Sequence, residues 1–348
     1  MHNRNSLKVV VAGVGMGLSL LASSGARATV LPLNPTGFAS IGTLRGATTY
    51  TFDTGNGASA PTVTLTGGQP DAPLFTGVIS NGIAVFDFNS VLLDPGSTMT
   101  ATGSLPLAIL SRFSAIFNGS VDVGGVGTTG GPGGGFASVF GSGGGPGRGA
   151  GTGDGGGFGG QGGYGESSNV HAGHPYGSPT SAFLGGSAGG GIDQPAGGGG
   201  GALEVSALGD ISIGGSGIRN DGAAGSGGPQ SLSGGGGSGG ETFLATPGQI
   251  TLTGRLSVDG GAGGSGFLGG GGGGGGRIIA ESAGFLSQGP AVVSEAGGAA
   301  GSSMVSGNTG GDIGSFYSTS YVSPVPEPGV AALAIGAGFG LLSRRRRD

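Results

Sequence analysis

The sequence predicts an all-β chain. Three observations carry that expectation. Glycine fills 94 of 348 positions, against a usual share near ~7%. Short runs of β-branched and aromatic residues recur between the glycine tracts, and no amphipathic helical period appears between the two ends. A chain with so few charged and aromatic side chains, and no tryptophan, cannot build a large core of interlocking side chains. Each ordered glycine also loses more backbone entropy on folding than any other residue. Order therefore has to come from a repetitive backbone ladder, and the remaining glycine stretches are expected to stay flexible.

Residues 1–28 read as a secretory leader. Arg4 and Lys8 form a basic start, Val9 to Leu21 an apolar run, and Ala26 and Ala28 flank a small-x-small cleavage site. The apolar run has 13 residues, short of the ~17–25 that cross a bilayer. Cleavage after Ala28 is therefore favoured over an uncleaved membrane helix.

Residues 29–110 form a β-rich N-terminal region. Strands are predicted at Tyr50-Thr51-Phe52, at Thr62 to Thr66 and at Ala84 to Phe88. Asn81-Gly82 tolerates positive φ and predicts a tight hairpin between Val78-Ile79 and the strand that follows.

An internal repeat emerges beyond residue 110. The segments 114–127, 209–225, 248–263 and 284–301 align, with Gly119, Gly215, Gly254 and Pro290 at equivalent corners. The last three corners are 39 and 36 residues apart. A further apolar segment precedes each later pair: Leu203 to Val205, Thr242 to Leu244 and Ile278 to Ala280. Three short strands per period with glycine at the corners predict a parallel β-helix or related β-solenoid. Its rungs would stack at ~4.8 Å. Ile211, Ile213, Ile250, Leu252, Leu256 and Val258 would form narrow apolar columns inside, while tracts such as Gly269 to Gly276 would leave the stack as flexible loops. The resulting division is a first repeat at 111–123, a glycine-rich low-complexity insert at 124–200 and further repeats at 201–320. The passage 103–123, running into a glycine tract, resembles glycine-rich surface proteins of soil bacteria expected to be β-helical.

Residues 321–348 carry the most specific signal. Pro324, Pro326 and Pro328 hold the backbone extended, a form that suits a protease substrate. Val330 to Leu342 give an apolar stretch of 13 residues, about 20 Å as a helix. Arg344, Arg345, Arg346 and Arg347 would stop translocation and stay cytoplasmic. An ordinary single-pass anchor has the same outline. Taken together, leader, Pro326-Glu327-Pro328, short apolar helix and arginine cluster resemble the PEP-CTERM proteins of Gram-negative, exopolysaccharide-producing bacteria. The resemblance covers about 25 residues of the tail. It implies a sorting signal read by an exosortase, a membrane protease-transpeptidase, and a partnership with the membrane at least before processing.

Charge and composition exclude several functions. Between leader and arginine cluster the chain holds six arginines, no lysine and 17 acids, so it lacks the basic footprint that nucleic-acid binding requires. With no cysteine there is no disulfide, no thiolate metal site and no lipoprotein anchor. Matches to GxGxxG occur by chance in polyglycine, and none opens a helix. Gly236-Gly237-Ser238-Gly239-Gly240 fits the GxSxG pattern without its strand-to-helix elbow. His171 and His174 could hold a metal only weakly, with Asp193 or Glu166, and Pro175 disfavours the helix that would align them; a solvated loop is the expectation. Asp154, Asp221 and Asp259 precede glycines and are expected to accept backbone hydrogen bonds at turns. No catalytic, cofactor or metal site is predicted.

The function expected from the sequence is an exported structural or adhesive protein of the cell envelope, associated with extracellular polysaccharide. The competing readings are a β-helical polysaccharide hydrolase or lyase, which would need paired carboxylates or basic groups, and an inert membrane-tethered spacer.

Overall fold

A computed structural model describes residues 32–46, 49–65, 74–165, 172–178, 183–287, 292–305 and 307–321. The leader with Ala26 and Ala28, and the tail with Pro326, Glu327, Pro328 and Arg344 to Arg347, lie outside the described residues. Within them the chain is all-β and no helix occurs.

The strands fall into six circuits, each visiting three sheets in the same order. The first holds β1 (Thr43–Gly46), β2 (Thr49–Asp53), the added strands β3 (Thr62–Leu65), β4 (Phe75–Thr76) and β5 (Val78–Ser80), and then β6 (Ile83–Phe88). The second is β7 (Ser90–Leu93), β8 (Thr98–Thr102) and β9 (Leu107–Ser111). The third is β10 (Ala115–Phe117), β11 (Ser120–Asp122) and β12 (Ala202–Ala207). The fourth is β13 (Ile211–Ile213), β14 (Gly217–Arg219) and β15 (Glu241–Ala245). The fifth is β16 (Gln249–Leu252), β17 (Arg255–Ser257) and β18 (Arg277–Ser282), and the sixth β19 (Gly284–Ser287), β20 (Val292–Ser294) and β21 (Ser315–Ser320).

First strands pair with first strands, second with second and third with third, all in parallel, giving sheets A, B and C. The described residues of 29–110, read from sequence as a β-rich region ahead of the repeats, supply the first two circuits of these same sheets. The Asn81-Gly82 hairpin is present: Ser80 pairs with Ile83, and the two turn residues have φ of 51° and 79°.

Register explains the core. Ile211 sits between Ala115 and Ile250, and Ile250 between Ile211 and Phe285. Sheet B stacks Tyr50, Met99, Val121, Ile218 and Leu256, and sheet C stacks Phe86, Ile109, Val205, Leu244 and Ala280. The six residues expected to point inward, from Ile211 to Val258, are all buried in this one cluster. Each such side chain contributes roughly 1.5–3 kcal/mol of burial. Strands β6, β9, β12 and β15 of sheet C are buried on both faces, the outer face being covered by Leu33, Phe38, Phe183 and Tyr321.

The glycine tracts depart from expectation. From the third circuit onward they join the second strand of a circuit to the third, and they do not leave the stack as flexible loops. Gly269 to Gly276 are all buried, and so are Gly234 to Gly240. Their hydrogen bonds follow a period of three. Gly270, Gly273 and Gly276 donate to the carbonyls of Gly264, Gly261 and Val258. Gly271 and Gly274 donate to Gly153 and Gly156, and Gly272 and Gly275 to Thr309 and Asp312. Successive N–H groups thus address three different neighbours, the alternation of an extended helix with three residues per turn and no internal bonds. The tract 234–240 repeats the pattern toward 220–226, 187–190 and 271–274. The result is a second layer, built of backbone, that continues the circuits sideways. The described residues of 124–200 join it: Gly156 donates to Gly236, Gly160 to Gly275 and Gly197 to Gly235.

Glycine is required here by close approach and not by turning. No glycine from 269 to 276 has a positive φ, yet a methyl on Gly273 would overlap the carbonyl oxygen of Gly237. Any larger residue would force the segments apart and break the lattice on both sides.

Candidate functional site

The polar groups of the body gather at two places: the line where the glycine layer leaves sheet B, and the covered outer face of sheet C. At the first, an acid two residues past the second strand of the fourth and fifth circuits caps the circuit that follows. Asp221 Oδ1 accepts the amide of Asp259 at 2.8 Å, and Asp259 Oδ1 accepts that of Ala296 at 2.8 Å and the Ser294 hydroxyl at 2.5 Å. Asp154, fully buried in the insert, accepts the amide of Gly165 at 2.7 Å. The three aspartates accept backbone amides as expected, but from segments 11 to 38 residues away and not within their own turns. Burial pushes Asp221 above the ordinary carboxylate value, with the amide of Asp259 working the other way.

Arginines brace the same line. Arg219 reaches Asp122 Oδ2 at 2.6 and 3.2 Å, and Arg255 reaches Asp259 Oδ2 at 2.6 Å. Exposed pairs of this kind add at most ~1 kcal/mol each, so their role is to orient the acids. Val126, Arg219, Asp221, Ala224, Asp259 and Ala262 line an open groove of about 430 Å³ between the insert and this ladder. Its carboxylates already hold backbone amides.

Behind sheet C lie groups that sequence reasoning missed. Glu204 is fully buried: its Oε1 accepts the amide of Leu33 at 2.7 Å and the Ser206 hydroxyl at 2.6 Å, while Oε2 has no partner among the described residues. Burial pushes its carboxyl up to about 7. Glu241 and Arg277, neighbours across β15 and β18, approach to 3.7 Å, an ion pair too long for a hydrogen bond. Burial pushes Glu241 up to about 8, although Arg277 opposes the shift. Arg277 lies 4.9 Å above the ring of Phe158 and donates to the carbonyls of Tyr176 and Gly177 at 3.2 Å each. Tyr176 donates to the carbonyl of Gly185 at 2.6 Å, and burial raises its hydroxyl to about 12. Arg277, with Phe158 and Tyr176, fastens the insert to the stack, and Glu204 holds the segment of Leu33. A signal for them existed: Glu241 and Arg277 open the same strand in consecutive repeats with opposite charge.

The remaining sequence candidates are dispersed. Ser238 is buried, its hydroxyl donating to the carbonyl of Ser187 and accepting that residue's amide. This is a lattice contact within the glycine layer. His174 is exposed and Asp193 faces a loop tip, where it accepts the amide of Leu232 at 3.3 Å; His171 and Glu166 lie outside the described residues. Among the described residues no group of three or more His, Cys, Asp or Glu side chains converges as a metal site would. Among the described residues there is no helix long and apolar enough to cross a membrane.

Comparison with known protein families, curated proteins and solved structures finds no match.

Proposed function

We propose that the chain is an exported structural or adhesive protein of a Gram-negative cell surface. In this reading a β-helical body is delivered by a cleaved leader and sorted through a PEP-CTERM-type tail by an exosortase. The cyclic order of strands through three parallel sheets supports the β-helical description. What carries the functional reading is the use the body makes of its polar groups. Asp154, Asp221, Asp259, Ser238 and Glu204 all accept backbone amides within the scaffold. Catalysis needs such groups aimed at a substrate instead. A body whose acids and glycines are committed to its own lattice suits load-bearing or display in a polysaccharide matrix, with the membrane as a partner before processing.

The decisive experiment is mass spectrometry of the mature C terminus taken from the producing cells. A terminus near Pro328, or a glycan linked there, is the expected result. An intact Arg344–Asp348 end would reduce the tail to an anchor. Purified protein that cleaves polysaccharide at ordinary enzyme rates would overturn the non-catalytic assignment.

A further inference from the structure

The two ends of the stack are finished differently. At the N-terminal end the free edge of β2 is closed by the antiparallel strands β3 and β4, and that of β6 by β5. At the other end β19, β20 and β21 are the last strands of their sheets among the described residues. The apolar columns are open there too. Leu256, Ile250 and Ile278 are fully buried, but Val293, Phe285 and Phe316, one circuit further on, are only partly covered. Val292 is 48% exposed and Tyr317 40%.

Exposed edges usually carry a deterrent to pairing, such as a charge, a proline or a bulge. The sequences GFLS, VVS and SFYSTS contain no charge and no proline. All six residues of β21 pair in register with β18, so the edge is unbulged. Ser315 donates to Gly276, and alternation along the strand turns the N–H and C=O groups of Phe316, Ser318 and Ser320 toward the open side. That is a flat, uncharged six-residue template.

We propose that this end binds a second copy of the chain, tail end to tail end, about a two-fold axis perpendicular to the stack. The strand chemistry selects this occupant. Head-to-tail stacking is disfavoured because β3, β4 and β5 cover two of the three sheets at the other end, leaving only β1 of sheet A as a continuing edge there. A two-fold axis instead sets β21 antiparallel to its own copy, a self-complementary arrangement that needs no second surface. The segment that follows β21 is a poor competitor: Pro324, Pro326 and Pro328 lack N–H groups. In the sorting reading that segment must also stay accessible to a protease.

The test uses the full chain, which has no cysteine, so that one introduced thiol carries one spin label. Thr319→Cys points outward beside the edge and Asn56→Cys marks the far end. Pulsed electron–electron resonance should show an intermolecular distance below about 30 Å at 319 and about 50 Å or more at 56, given ~4.8 Å per circuit. Adding Ser318→Pro, which removes one outward N–H and no ladder bond, should abolish the short distance and raise the dissociation constant at least about tenfold. Ser318→Lys, which leaves the backbone intact and opposes like charges, should do the same. Absence of an intermolecular distance at 319 would overturn the proposal. So would a short distance that survives both substitutions, since association would then run through the tail. Neither result bears on where the mature C terminus lies, which tests sorting separately.

Discussion

The strand stack and the glycine layer share one circuit spacing but fill it by different means. In the stack, side chains alternate in and out, and Ile211, Ile250 and their neighbours supply stability through buried apolar area. In the layer there are almost no side chains, and order rests on N–H groups that address three neighbours in turn. The contrast teaches that glycine abundance by itself does not mean a loose chain. Backbone entropy lost at each glycine can be offset where every N–H finds a carbonyl and the segments touch at backbone distance.

The largest effect should come from the layer. Gly273→Ala places a methyl against the Gly237 carbonyl, which neither a rotamer change nor a local shift can relieve. Loss of more than about 4 kcal/mol, or failure to fold cooperatively, is expected in denaturant unfolding. A near-neutral result would mean that the layer is not the close-packed element described.

The stack should respond in the ordinary way of a core. Ile250→Ala removes a fully buried side chain from the middle of its column and should cost about 2–5 kcal/mol. Fluorescent-dye thermal shift with chemical denaturation measures it. If Ile250→Ala proves costlier than Gly273→Ala, the two regions exchange ranks.

These two positions also show what could be read in advance. Ile250 was legible because a period of two within strands and about 36–39 between repeats marks an inward column. Gly273 was not, since a residue without a side chain carries no inward or outward signature. Two of its partners, Gly237 and Gly298, lie in the neighbouring repeats, and the third, Gly261, lies twelve residues back in the same connection. One trace was present: the tracts Gly234–Gly240 and Gly269–Gly276 recur at the same place in successive repeats, which a linker has no reason to do. The first two circuits were obscured because they lack glycine tracts and the first carries an antiparallel insertion. The buried acids were hidden by tertiary cover, as Glu204 is enclosed by Leu33, 171 residues earlier.

That cover gives the next prediction. Glu204 is raised to about 7 and Glu241 to about 8 in the folded chain, against about 4.3 unfolded. The folded state therefore binds their protons more tightly. The stability this lends is complete below the unfolded value and is lost as pH rises through 7 to 8. The unfolding free energy should fall between pH 5 and pH 9, by on the order of 3 kcal/mol for Glu204 alone. Glu204→Gln should leave pH 5 stability nearly unchanged and flatten the descent. A stability curve that rises toward pH 9 would show these carboxyls ionised in place. The cover of sheet C, and not either lattice, would then need revision.

The smallest effect isolates the comparison best, because it changes the same residue type by the same methyl. Gly284 opens β19 in the stack, where an added Cβ meets nothing within 4 Å and φ is not positive. Gly284→Ala should therefore be neutral or stabilising by up to about 1 kcal/mol, since alanine restricts the unfolded chain. Two glycine-to-alanine changes in one protein would then differ in sign and by several kcal/mol. Composition cannot produce that difference; only the distance between neighbouring backbones can. Were both substitutions equally mild, hydrogen bonding in the layer would have to tolerate wider spacing, and glycine there would be a matter of entropy and not of contact.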